Sequence, residues 1–340
     1  MFEKKIGKQT VKLMKPPTIA ATASIVGPKE GKGPLGGYFD QVIDEEYWGE
    51  SSWEKAESKL VRETLAKIAS KAAIAVSGLD YILGGDLLNQ CIAASFGLRE
   101  SNVPFFGLYG ACSTMGESIS LGAMLIDGGF AQNLVCITSS HFCSAEKQFR
   151  FPLELGSQRP PTAQWTVTGS GGVMLSAEGE GPFITKITTG KIVDMGIKDQ
   201  NNMGAAMAPA AADTIYAHFE DTGLSKDYYD IVITGDLGIV GNQIADDLLS
   251  SNDVRIGSIL KDCGMMMYDK NQDAHAGGSG CGCSATILAG YLYNMLKSGK
   301  LKRILYVPTG ALLSTTTVQQ GETIPCIAHA VAIETNLGGN

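Results

Sequence analysis

The sequence feature that most limits the folds open to this chain is an internal repeat. Asp80-Tyr81-Ile82-Leu83-Gly84-Gly85-Asp86-Leu87 returns as Asp230-Ile231-Val232-Ile233-Thr234-Gly235-Asp236-Leu237. Each copy is an apolar run of strand character that leaves through glycine and aspartate. Further along, a cysteine opens a helical stretch in each copy. Cys112-Ser113-Thr114 leads to a stop at Gly128 and Cys283-Ser284-Ala285 to one at Gly299, the same interval in both. An apolar strand follows each time, Asn133-Leu134-Val135-Cys136-Ile137 and Arg303-Ile304-Leu305-Tyr306-Val307. Two matched features in the same order point to duplication. Alternating strands and helices predict an α/β fold of two βαβ-rich halves, residues 1–180 and 181–340, with parallel-containing sheets buried on both faces.

The first cysteine stands at a sharp turn. Val103 to Leu108 reads as a short strand, and Leu121, Met124 and Leu125 recur at helical spacing up to Gly128-Gly129. Its sulfur would face the unpaired N–H groups and positive end of the helix, which favour thiolate or bind an anion. The bland alternative is a small apolar thiol filling a helix–sheet contact. Ser118, Ser120, Gly122 and Ala123 suit a helix buried between two layers of sheet, with the Cys283 helix beside it. The N-termini of these central helices would open on a cleft between the halves, and that cleft is the candidate site.

Composition narrows the function classes. The net charge is −8 with no basic block, so nucleic acid is not expected as a partner. Eight cysteines in a glycine-rich chain of this length read as reduced thiols rather than a disulfide frame. Cys281-Gly282-Cys283 has too short a spacer for a zinc knuckle, and neither metal nor cofactor is expected. No apolar run reaches the roughly 18 residues of a membrane span. Met1 to Gly7 lacks a signal-peptide core, so a soluble chain is expected. Gly31-Lys32-Gly33-Pro34-Leu35-Gly36 matches G-x-G-x-x-G literally, but proline interrupts it and no amphipathic helix begins at its end, so it reads as a mobile surface loop. Ser51 to Lys71 has the spacing of an exposed amphipathic helix. His218 reads as a surface or capping residue, His329 as structural, and His275 as the histidine able to swing toward the cleft.

Taken together, Ala111-Cys112-Ser113, the glycine-rich Thr168-Gly169-Ser170-Gly171-Gly172-Val173 and the Gly277-Gly278-Ser279-Gly280-Cys281-Gly282-Cys283-Ser284 turn resemble the thiolase and ketoacyl-synthase superfamily. The resemblance implies a thiolase fold: duplicated βαβαβαββ halves in a layered αβαβα sandwich. In that superfamily the cysteine is acylated with help from histidine and asparagine, a second histidine or a second cysteine. Here Thr234-Gly235-Asp236-Leu237-Gly238 stands where relatives carry P-H-Q-A-N. Ser279 stands in place of the later Asn or His, and Pro308-Thr309-Gly310-Ala311 in place of the second cysteine turn. A thiol without its base, with the anion of Asp236 where negative charge would develop, predicts crippled condensation chemistry.

A narrower resemblance rests on Thr138-Ser139-Ser140-His141-Phe142, Glu146-Lys147-Gln148-Phe149-Arg150-Phe151-Pro152, Thr166 to Gly171, Asp262-Cys263-Gly264 and the Gly-Ser-Gly-Cys-Gly-Cys turn. These motifs are similar to the stage V sporulation protein AD family of spore-forming bacteria. The resemblance implies a non-catalytic protein that binds dipicolinic acid (pyridine-2,6-dicarboxylate), alone or as its calcium chelate. It also implies support for dipicolinate uptake into the developing spore with the other SpoVA membrane proteins. A peripheral place on the cytoplasmic side of the spore inner membrane and a homodimer follow from the same resemblance. A flat dianion needs donors at both carboxylates and a slot for its ring. The candidate ligand-binding residues are Cys112, Ser140, His141, Arg150, Asp236, Ser279 and Cys281, with Lys147 and Arg159 as further cations; Asp236 or Asp86 would face calcium. Two other readings remain: an acyltransferase or condensing enzyme that uses Cys112 with His141 or His275, and a structural adaptor for membrane transport partners.

Overall fold

The repeat builds two sheets whose five main strands share the same order, with three shorter strands pairing beside them. The computed structural model describes residues 4–150 and 159–337; Met1, Phe2 and Glu3 of the N-terminal reading and Phe151 and Pro152 of the second motif lie outside them. In the first half the strands are β1 (Thr18–Val26), β2 (Tyr81–Gly85), β3 (Phe105–Gly107), β4 (Asn133–Ser140) and β5 (Gly169–Ser176). In the second they are β6 (Phe183–Thr188), β7 (Ile231–Gly235), β8 (Leu260–Asp262), β9 (Arg303–Ala311) and β10 (Ala330–Glu334). Each half runs third, second, fourth, fifth, first across its sheet, β3-β2-β4-β5-β1 and β8-β7-β9-β10-β6. The first three neighbours are parallel and the rest antiparallel in both. The sheets meet edge to edge where Thr18 of β1 lies opposite Phe183 of β6.

The repeated aspartates explain part of this match. Asp80 Oδ2 accepts hydrogen bonds from the Gln132 and Asn133 amides at 2.7 and 2.9 Å, pinning the start of β4. Asp230 Oδ2 does the same for Lys302 and Arg303 at the start of β9, at 2.5 and 2.8 Å. Each bond satisfies a strand-end N–H that has no ladder partner.

Helices fill three further layers. On the outside of the first sheet lies α1 (Trp53–Lys71), whose Ser52 caps it by accepting from the Lys55 amide. Leu60, Val61, Leu65 and Ile68 form its buried stripe, and each contributes about 1.5–3 kcal/mol on burial. Outside the second sheet lie α4 (Met203–Thr222) and α5 (Gly238–Ser251). Between the sheets run α2 (Thr114–Asp127) and α6 (Cys281–Ile287), the latter continuing helically to Lys297. The layering is αβαβα, as the superfamily resemblance implied. Close approach in the central layer requires small residues. A Cβ on Gly171 of β5 would fall 2.3 Å from the Ala285 carbonyl carbon of α6.

Three local expectations change. Gly31 to Gly36 is no mobile loop: Pro28–Gly31 forms a helical turn, and a Cβ on Gly33 would meet the Met267 carbonyl oxygen at 2.1 Å. His218 is no surface residue. It is fully buried and bonded to the Thr188 hydroxyl at 2.8 Å and the Tyr229 hydroxyl at 2.7 Å. The strand before Cys112 is shorter than its apolar run, because Pro104 cannot donate into a ladder. All eight cysteines are free thiols.

Candidate functional site

Cys112 owes its position to a one-turn knot ahead of α2. Ala111 takes a left-handed φ of 49°, a conformation that aims the next residue off the helix axis. The knot is tied by polar side chains: Ser113 Oγ donates to the Gly110 carbonyl at 2.7 Å and Thr114 Oγ1 to the Ala111 carbonyl at 2.6 Å. The Cys281 thiol of α6 also donates to the Ala111 carbonyl, at 3.0 Å, tying the two central helices together. Gly310 on β9 lets the turn approach, since its Cα hydrogens face the Gly110 carbonyl and the Cys112 amide.

Beside this turn a shallow hollow opens, about 700 Å³ when the part in contact with solvent is counted and much smaller in its enclosed part. Cys112 and Gly280 lie at its floor; Gln164, Thr166 and Ser279 supply neutral polar groups. Leu87, Phe149, Met203 and Leu313 give apolar walls from four distant parts of the chain. Arg150 is the one cation among the described lining residues. It follows α3 (Phe142–Phe149), and its Nε lies 3.7 Å from Glu146 Oε2 one turn earlier. Burial raises the Glu146 carboxyl above the usual range and Arg150 draws it back down.

The expected site residues divide. Cys112, Arg150 and Ser279 line the hollow. Cys281 and Ser140 lie behind it, where the Ser140 hydroxyl donates to the Val167 carbonyl at 2.7 Å and accepts from the Gly282 amide at 3.0 Å. His141 is fully buried and its ring is committed elsewhere. Nε2 meets the Glu46 carbonyl at 2.8 Å, and Nδ1 accepts from the Cys143 amide, capping α3. Burial lowers its affinity for a proton, so the ring is neutral. Glu46, His141 and Cys143 offer donor atoms within 4.8 Å of one another, but the imidazole nitrogens are already engaged. Lys147 turns outward to Glu54 at 2.6 Å. Arg159 bonds Asp273 and stacks over Trp165, and His275 is held between Pro160 and Asp273. Asp86 is buried away from the hollow's lining and accepts from the Leu88 and Ala94 amides, both at 2.8 Å.

Two electrostatic expectations are overturned by burial. The Cys112 side chain is almost fully covered, and burial, with Asp236 second, pushes its thiol well above the ordinary range. It is therefore a thiol, not a thiolate, despite the helix end beside it. Asp236 is likewise no anion: it is wholly buried, and burial followed by the nearby Asp262 raises its carboxyl well above the carboxylate range. Among the described residues neither of its oxygens has a well-formed hydrogen bond, and the Gly280 amide and Cys283 thiol nearby only partly offset its burial. The repeat thus diverges at its second aspartate, firmly bonded in one copy and only weakly held in the other.

Comparison with known proteins agrees with this architecture. A family model described as stage V sporulation protein AD (SpoVAD) matches residues 7–334. Stage V sporulation protein AD of Bacillus subtilis (strain 168) is 45% identical over 328 residues, covering 96% of this chain and 97% of that protein. Among solved structures, 3-oxoacyl-[acyl-carrier-protein] synthase III from Aquifex aeolicus VF5 superposes with a TM-score of 0.58 at 14% identity, covering 94% of this chain and 99% of that one. Human mitochondrial 3-ketoacyl-CoA thiolase in complex with CoA gives 0.56 at 12% identity, covering 96% and 99%. At such identities the two structures share the fold alone.

Proposed function

Since the chain belongs to the stage V sporulation protein AD family, we propose that its hollow binds dipicolinic acid without turning it over, in support of dipicolinate uptake into the developing spore. The observation that carries this reading is the pairing of Arg150 at the rim with a protonated, buried Cys112 at the floor. A guanidinium offers the forked donors a carboxylate accepts, and apolar walls suit the flat ring. Catalysis would need a base for the thiol, and His141, His218, His275 and His329 are each held by other partners. In this reading the protein works at the cytoplasmic side of the spore inner membrane beside the other SpoVA membrane proteins. No helix among the described residues is long and apolar enough to cross a membrane. The ligand enters as the dianion or its calcium chelate. A homodimer would form through β3, an end strand whose Phe106 is exposed.

The test is calorimetric titration with pyridine-2,6-dicarboxylate. Saturable binding is expected, weakened about tenfold or more by Arg150→Ala and measurably by Cys112→Ala. Unchanged affinity in both variants would remove the ligand from this hollow. The opening of Cys112 onto the hollow favours a second reading, acyl transfer. Acylation of Cys112 by an acyl-CoA, followed by mass spectrometry, would establish it.

A further inference from the structure

The floor of the hollow hides a wholly buried carboxyl group that only the Gly280 amide and the Cys283 thiol approach as donors among the described residues, neither in a well-formed hydrogen bond. Asp236 follows β7 with a φ of 75°, a strained setting for a residue with a side chain. The strain is held by Gln164, whose Nε2 donates to the Asp236 carbonyl at 2.5 Å while its Oε1 has no partner. The Asp236 side chain is completely covered, and its oxygens have no well-formed hydrogen bond, with the Gly280 amide and the Cys283 thiol as the weak donors beside them. Its neighbours come from every element packed around it: Cys112 ahead of α2, Gly280, Cys281 and Cys283 at the start of α6, Asp262 at the end of β8, Cys263 just beyond, and Tyr306 on β9. Among the described residues that face it there is no lysine, arginine or histidine. Two of the neighbours, Cys112 and Gly280, are also the floor of the hollow.

We propose that the hollow is a proton-linked anion site, which holds a carboxylate ligand while Asp236 carries its proton and releases the ligand when that proton leaves for solvent. This rests on the reading of the hollow as a dicarboxylate site, and adds how that site is regulated. The physical reason is a choice between two negative charges in one water-poor region. A carboxylate ligand can sit over Cys112 and Gly280 only if the carboxyl beneath them is neutral, because no cation stands between them to screen the repulsion. The coupling is reciprocal: a bound anion holds the proton on Asp236, and loss of the proton weakens the anion. Burial acts in the same direction on the empty site.

The test follows the affinity for pyridine-2,6-dicarboxylate from about pH 6 to about pH 9.5 in the full chain and in Asp236→Asn, whose amide stays neutral throughout. Wild-type affinity is expected to fall at least tenfold across the range, while the variant holds its affinity within about twofold. A flat wild-type profile, or a parallel fall in both proteins, overturns the proposal. So does a fall that survives Asp236→Asn and vanishes in Cys112→Ser, which would assign the proton to the thiol. Absence of wild-type binding at every pH would instead refute the dicarboxylate site beneath it. Thermal melts of both variants confirm that each compared protein is folded.

Discussion

Replacing Glu57 by glutamine should stabilise this protein, and should do so only above mildly acidic pH. Glu57 projects from α1 into the first sheet, wholly buried, and accepts hydrogen bonds from Ser139 Oγ at 3.1 Å and Ser144 Oγ at 2.6 Å. Burial, with a smaller push from Asp86, raises its carboxyl from 4.5 to about 8. A carboxyl raised on folding holds a proton in the native state that the unfolded chain gives up. Its contribution is therefore neutral below about pH 4.5 and increasingly unfavourable as pH climbs toward 8. At pH 7 the cost is about 1.36 kcal/mol for each of roughly 2.5 pH units, or about 3 kcal/mol, reduced to about 2 if Asp86 takes part of the charge. Glutamine keeps the hydrogen bonds. Ser139 donates to the amide oxygen, and Ser144 can direct its proton to the His141 carbonyl, 3.1 Å away, while accepting from the amide nitrogen. Urea unfolding of wild type and variant at about pH 5 and about pH 7 isolates the effect, since groups not coupled to Glu57 cancel between the two proteins. The variant should gain about 2–3 kcal/mol at the higher pH and much less at the lower one. A variant that is less stable at both, by equal amounts, would show that Glu57 is an ionised hub and that burial is not what sets its protonation.

Other consequences can be tested with equal directness. Gly310→Ala would place a Cβ 2.0 Å from the Gly110 carbonyl oxygen and 3.1 Å from the Cys112 amide, so the turn must break. We expect a loss of about 3 kcal/mol in melting experiments, with ligand binding lost as well. Cys112 should react with iodoacetamide at neutral pH roughly a hundredfold more slowly than free glutathione, followed by peptide mass spectrometry. Rapid alkylation would mean that the thiol is exposed or ionised. Phe106→Lys on the end strand β3 should shift sedimentation from dimer to monomer; a protein that sediments as a monomer before substitution refutes the edge-to-edge pairing.

The fold was readable because its signals are local and repeated. The strand–glycine–aspartate run at 80–87 and 230–237 and the two cysteine helices are each contained within about one βα unit, and they set strand order twice over. The Cys112 turn was readable for the same reason. The hollow's walls were not: Leu87, Phe149, Met203 and Leu313 carry no pattern that distinguishes them from any core residue, and only the fold assembles them. The placement of His141 is not legible in the sequence because its partner is the backbone of Glu46, 95 residues away. The sequence suggests an anion at Asp236, but burial, a property of the surroundings and not of the residue, raises its carboxyl. Gly33 and Gly36 looked like a flexible tract because tight packing against a carbonyl and simple mobility both select glycine.

The crossed packing of the central layer bears on how such a chain is assembled. Helix α6 belongs to the second half by sequence but lies mainly over β5, β4 and β1 of the first, while α2 reaches across to β9 and β10. Each half therefore completes the interior of its twin, like two hands with interlaced fingers. A polypeptide cut between Ser176 and Phe183 would yield fragments with raw apolar faces, soluble and ordered only in each other's company. If the repeat arose by duplication, a single ancestral half would have met the same need by pairing with an identical copy.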